Sequence, residues 1–109
     1  MKNRAINALI EMGMPADISG FKYIVDAITL YTDEEWRYGK ILALYYKIGM
    51  LNNTPATRVE RAIRHAFSIV LTQGNLAIVK RYLTFEKTTN GNLLQVFYIR
   101  LQQESEEDR

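Results

Sequence analysis

The stretch from Thr54 to Asn75, TPATRVERAIRHAFSIVLTQGN, constrains this chain more than any other because it reads as one long helix with two opposed faces. Val59, Ile63, Ala66 and Val70 recur at helical spacing, and at about 100° per residue they fall in a single narrow apolar stripe. Such a stripe must be covered by other elements, so it predicts a domain packed around this helix. Thr57, Arg61, Arg64 and Ser68 share the spacing and point almost directly away, forming an outer ridge of two guanidiniums flanked by two hydroxyls. Thr54 suits the N-cap and Pro55 the first helical position, where a missing amide proton costs nothing. Gly74 supplies the stop.

The rest of the chain is read in the same way. Residues 2–12 form a first helix with Ala5, Ile6, Leu9 and Ile10 on one side, ending at Gly13 before Pro15. After the turn-rich link MPADISG comes a second helix, FKYIVDAITLY, whose buried side is Phe21, Ile24, Val25, Ile28 and Tyr31. Thr32 with Glu35 makes a capping-box pattern, and Asp33, Glu34 and Glu35 put negative charge where a helix start favours it. The pattern predicts a third helix over 33–48, with Trp36, Ile41, Leu44, Tyr45 and Ile48 in the core. Gly49 to Asn53 is then a tight turn into the long fourth helix. Asn75 reads as the N-cap of a fifth helix, LAIVKRYL, and Asn90 or Asn92 as the start of a sixth, LLQVFYIRLQQE. No run alternates with period two. The expectation is an all-α, compact six-helix domain over 1–102, with helices three and four as a helix-turn-helix, and an acidic, frayed tail over 103–109.

Composition bounds the function. A chain of 109 residues, 48% hydrophobic and 24% charged, can bury one core and is too short for two ordinary domains. The absence of cysteine excludes a disulfide framework and a cysteine-built zinc site. The longest apolar runs are only a few residues, so neither a membrane partner nor a signal peptide is expected, and the expected location is cytoplasmic. The net charge of +2 is unevenly spread: residues 47–87 carry seven basic groups against Glu60 and Glu86, a local net of +5, whereas residues 1–46 carry five against six acids. A basic middle of this modest size has two readings, a surface that attracts polyanions or equally an ordinary solvated face.

Catalysis finds little support. His65 is the only histidine, no cysteine is present, and no serine lies in a nucleophile-elbow context. A metal site would have to be built from carboxylates alone, and the six glycines are scattered singly rather than gathered in a phosphate loop. No catalytic residue, metal or cofactor is expected. Tyr23, Tyr31 and Tyr45 sit on apolar faces, which leaves Tyr38, Tyr46, Tyr82 and Tyr98 as tyrosines with a claim to exposure. In the last helix Val96, Tyr98 and Ile99 widen the apolar surface beyond the stripe of Leu93, Leu94, Phe97 and Leu101; they mark either a well-buried terminal helix or a subunit contact.

The ridge has two readings. An arginine can bond guanine O6 and N7 together in the major groove and a glutamate can accept from cytosine N4, so Glu60, Arg61 and Arg64 suit a G/C-containing site. Thr54, Thr57, Arg58 and Ser68 would then lie near phosphates. On the other reading the ridge is simply the wet face, with Glu60 and Arg64 paired at i,i+4.

RVERAIRHA (Arg58 to Ala66) resembles the recognition helix of the effector domain of the stage 0 sporulation master response regulator family. EMGMPADISGFKYIVDAI (Glu11 to Ile28) is similar to that family's opening segment, a G-x-P-A-x-I-x-G link followed by an aromatic-rich helix. Gly74 with Asn75, and KTTN at Lys87 to Asn90, fall at comparable places. The resemblance implies a six-helix domain containing a helix-turn-helix that binds double-stranded DNA. It puts Glu60, Arg61 and Arg64 at base-reading positions for a TGTCGAA-like box, and Thr57, Arg58 and His65 near the backbone. Two departures stand out: N-N-T-P-A-T-R (Asn52 to Arg58) replaces the family's usual N-T-T-P-S-R, and Leu71 and Gln73 replace Trp and Arg. The family regulator carries an N-terminal receiver domain, whereas this sequence opens at the effector domain, so no aspartyl phosphorylation switch is expected within it. Two functions follow from the resemblance. One is a DNA-reading regulator that engages paired sites as a homodimer. The other is an interaction module that occupies a related regulator or RNA polymerase, its sigma subunit included, without strong DNA reading. The intact trio favours the first and the altered helix start the second.

Overall fold

The computed structural model describes residues 1–107, and among these there are seven helices and no strand. In order they are α1 (Lys2–Met12), α2 (Ser19–Leu30), α3 (Glu34–Arg37), α4 (Ile41–Asn52), α5 (Ala56–Gln73), α6 (Leu76–Tyr82) and α7 (Asn90–Glu107). The long helix α5 packs on α2, α4, α6 and α7. Its inner face buries Val59, Ile63, Ala66, Phe67 and Val70, the expected stripe with Phe67 added. Helix α1 ends as predicted at Gly13, whose φ of 94° is left-handed, a backbone state that residues with a Cβ rarely adopt. Its amide and that of Met14 satisfy the last carbonyls of α1. Asn75 caps α6, its side chain accepting from the Ile78 amide.

The packing of α2 against α5 depends on one small residue. A Cβ at Gly20 would lie 2.2 Å from the Ala62 carbonyl oxygen and 2.6 Å from the Ala66 Cβ. The two helices therefore touch nearly backbone to backbone, which sets how α5 is seated.

The helix expected over 33–48 is two elements, so the domain has seven helices rather than six. The Asp33 side chain accepts from the Glu35 amide at 2.9 Å and starts the single turn of α3. The chain then becomes extended at Lys40 before α4 begins. Contacts from α7 hold this break: Gln95 donates to the Arg37 carbonyl at 2.6 Å, and the Tyr98 ring centre lies 4.9 Å from the Arg37 guanidinium, which is also 4.8 Å from the ring centre of its own neighbour Tyr38. None of these partners is close to 33–48 in the sequence except Tyr38, so local propensity could not reveal the break.

The turn before α5 also differs from expectation. Helix α4 continues to Asn52, and the turn is Asn53 to Pro55, with Asn53 left-handed at φ 52°. Pro55, at φ −67° and ψ 150°, is the N-cap and not the first helical residue, and its carbonyl accepts from the Arg58 and Val59 amides. Thr54, expected as the N-cap, lies one position ahead of it, and its amide donates to the Gly49 carbonyl at 2.9 Å. A Cβ at Gly49 would come within 2.4 Å of the Thr54 carbonyl oxygen, so the turn folds directly onto α4. At the other end, residues 103–107 of the expected tail continue α7. Tyr82 donates to the Glu104 carboxylate at 2.6 Å, and Arg4 pairs with it at 3.5 Å. Asp108 and Arg109 of that tail lie outside the described residues.

Tyr31 packs edge-on against Tyr98, with ring centres 6.1 Å apart. Burial, and secondarily the nearby Tyr45, push the Tyr31 phenol up to about 12. Because the folded state holds this proton more tightly than the unfolded chain, its contribution is complete below about pH 10 and is lost as pH rises towards 12. Urea melts are expected to show stability falling by about 2–3 kcal/mol across that window. The fall should be shallower in Tyr31→Phe; an identical slope in the variant would refute the assignment.

Candidate nucleic-acid interface

The outer face of α5 is open to solvent. Thr57, Arg58, Arg61, Arg64, His65 and Ser68 are all exposed, Glu60 is half-buried, and Thr54 is half-buried in the turn. Arg61 and Arg64 stand on the line opposite the buried stripe, together with Thr57 and Ser68. Arg58 and His65 flank this line on one side and Glu60 on the other, as about 100° per residue requires. Arg64 pairs with Glu60 at 3.6 Å, with side-chain exposures of 65% and 35%. An exposed i,i+4 pair contributes only about 0.3–0.5 kcal/mol, so a stronger acceptor can open it.

A shallow groove lies on each side of the ridge. One is lined by Pro55, Thr57, Arg58, Arg61 and Ala62. The other, about 430 Å³, is bounded by Glu60 and Arg64, by Ile41 and Tyr45 of α4, and by Thr88 to Gly91 before and at the start of α7. The ridge therefore stands proud between depressions, a shape that can enter a groove in a ligand.

Residues behind α5 escaped the sequence reading. Asn90 is only 8% exposed. Its amide nitrogen donates to the Tyr45 hydroxyl at 3.0 Å and to the Glu60 backbone carbonyl at 3.1 Å. Burial raises the Tyr45 phenol pKa, partly opposed by this Asn90 bond. A second network fixes the end of α4: Lys22 donates to the Asn52 side chain at 2.6 Å, and Asn52 donates to Asp26 at 2.8 Å and to the Ile48 carbonyl at 2.9 Å. The only signal for either network was Asn90's place in KTTN and at a helix start, because polar residues near helix ends ordinarily read as solvated.

The three residues singled out on α7 do not form one surface. Tyr98 is only 4% exposed and packs inside this chain on Tyr31, and Val96 is half-buried; Ile99 is 47% exposed. The expectation of an exposed Tyr98 is thus corrected, and so is that for Tyr82, buried against Phe97 with ring centres 5.9 Å apart. Tyr38 and Tyr46 are exposed. Among the described residues no group of three His, Cys, Asp or Glu side chains could hold a metal ion. No helix among them is long and apolar enough to cross a membrane.

The structure defines a small all-α domain whose long helix α5 turns Arg58, Arg61 and Arg64 to solvent. The comparison with known families narrows this. The family model described as sporulation initiation factor Spo0A C terminal matches residues 5–101, and the chain belongs to that family. It is a family of DNA-binding response-regulator effector domains concerned with sporulation and transcription regulation, not an enzymatic one.

Proposed function

We propose that this domain is a sequence-specific transcriptional regulator that reads a TGTCGAA-like box in the major groove, with α4 and α5 as the helix-turn-helix. The observation that carries this reading is the open ridge of α5, where Arg61 and Arg64 stand at adjacent turns beside Glu60. Each arginine can form a bidentate pair with guanine, and Glu60 can accept from cytosine N4 once its pair with Arg64 opens. Thr54, Thr57, Arg58, His65 and Ser68 surround these three and suit phosphate contacts that set register. The half-buried Thr54 reaches a phosphate only at the rim of the turn. The local net charge of +5 over residues 47–87 adds a long-range attraction that salt screens.

The test is fluorescence anisotropy with a duplex containing the box and with a scrambled duplex, over a range of salt. Tighter binding to the box, with affinity falling steeply as salt rises, is the expected result. Equal and weak binding to both duplexes would overturn the reading. Binding as a homodimer on paired sites belongs to the same proposal, with Ile99 and Val96 as the exposed and half-exposed apolar residues of α7 available for contact.

A second reading has one specific support. Leu42, Tyr46 and Met50 stand exposed at i, i+4 and i+8 along α4, an apolar line suited to a protein partner such as a related regulator or RNA polymerase through its sigma subunit. On that reading DNA discrimination would be weak, so the same titration separates the two.

A further inference from the structure

We infer that Asn90 is a positioning residue for DNA reading: from behind α5 it holds the turn that carries Glu60, Arg61 and Arg64. The inference rests on the DNA-reading function proposed above and adds a residue that touches no DNA.

Asn90 is the buried polar side chain among the described residues, and it opens α7. Its amide nitrogen has two protons, and both are committed, one to the Tyr45 hydroxyl of α4 and one to the Glu60 carbonyl of α5. A single side chain thereby joins three helices. Its second target is the informative one. In an α-helix the carbonyl of residue 60 already accepts from the amide of residue 64, so Asn90 supplies an extra donor at the point where Glu60 and Arg64 leave the backbone. The Glu60 and Arg64 side chains border the same depression as Tyr45, Thr89 and Asn90.

This arrangement bears on recognition because a bidentate pair tolerates little misplacement. The α2 side of α5 is fixed by the close contact at Gly20, which restrains translation. The Asn90 bond lies on the opposite flank, beside Glu60, and restrains rotation of α5 about its axis. Loss of that bond lets the ridge turn relative to the rest of the domain, which spoils base contacts while leaving the number of phosphate contacts unchanged.

The variants are Asn90→Ala and Asn90→Asp; the second keeps the shape but has no proton for the Glu60 carbonyl. The control is Tyr82→Phe, which removes a hydrogen bond between α6 and α7 that has no link to α5. Thermal melts, anisotropy on the box and scrambled duplexes, and amide hydrogen exchange of free protein are measured for each. Both Asn90 variants are expected to lower the box-to-scrambled affinity ratio about tenfold with an unchanged salt slope. Tyr82→Phe should leave that ratio as in the wild type despite a lower melting temperature. In the free protein the Asn90→Ala variant should show faster exchange at Arg61 to Arg64, a readout that needs no DNA. Wild-type protein that fails to discriminate would overturn the DNA reading, and unaltered exchange at Arg61 to Arg64 would overturn the positioning role. A wild-type affinity ratio in folded Asn90→Ala, or an equal loss of ratio in Tyr82→Phe, would also overturn it.

Discussion

Arg61→Ala is expected to weaken binding to the box by about 1–3 kcal/mol, roughly five- to 150-fold, and to relax base preference at one position. Its stability should stay within about 0.5 kcal/mol of wild type, because Arg61 is exposed on the side of α5 opposite the core. Arg58→Ala offers the contrast. A phosphate contact carries no sequence information, so its loss should weaken both duplexes alike and reduce the salt slope by about one. If Arg61→Ala behaved as Arg58→Ala is expected to, the division of the ridge into base-reading and phosphate-contacting residues would fall. If neither had an effect, α5 would not be the DNA-contacting helix.

The second large effect concerns the seat of that helix. Gly20→Ala should destabilise the domain by about 3 kcal/mol and lower the melting temperature by on the order of 10–20 °C. The added Cβ meets the Ala62 carbonyl oxygen and the Ala66 Cβ, and neither can rotate away. Relief requires α2 and α5 to separate, which loosens packing along their whole contact. A melting temperature within a few degrees of wild type would show that the two helices are not held as close as 2.2 Å implies.

Most of the helical architecture was legible because each helix carries its own period and punctuation. Gly13 and Asn75 end and begin helices for reasons contained in a few adjacent residues. The same holds for the ridge, since the spacing of Thr57, Arg61, Arg64 and Ser68 against Val59, Ile63, Ala66 and Val70 decides which side of α5 faces out. The errors share a cause. The split at Tyr38 to Lys40, the burial of Tyr98 and the continuation of α7 through Glu107 all involve partners far along the chain: Gln95 with Arg37, Tyr31 with Tyr98, and Tyr82 with Glu104. Pro55 illustrates a subtler case. Its ring fixes φ, but whether it caps or enters the helix depends on ψ, and here the turn held by Gly49 and Thr54 puts ψ at 150°.

By itself, then, the sequence determined a helical domain whose longest helix buries an apolar stripe and turns two arginines outward. Periodicity and capping act over a few residues, so those features needed nothing else. Only the tertiary structure decided how that helix is held. Gly20 meets α5 from α2, Asn90 reaches it from α7, and Asn52 ties the end of α4 to α2. Each depends on residues brought together across about 25 to 45 positions of chain, and the distances that make a glycine obligatory or an asparagine a clamp exist only once the core has formed.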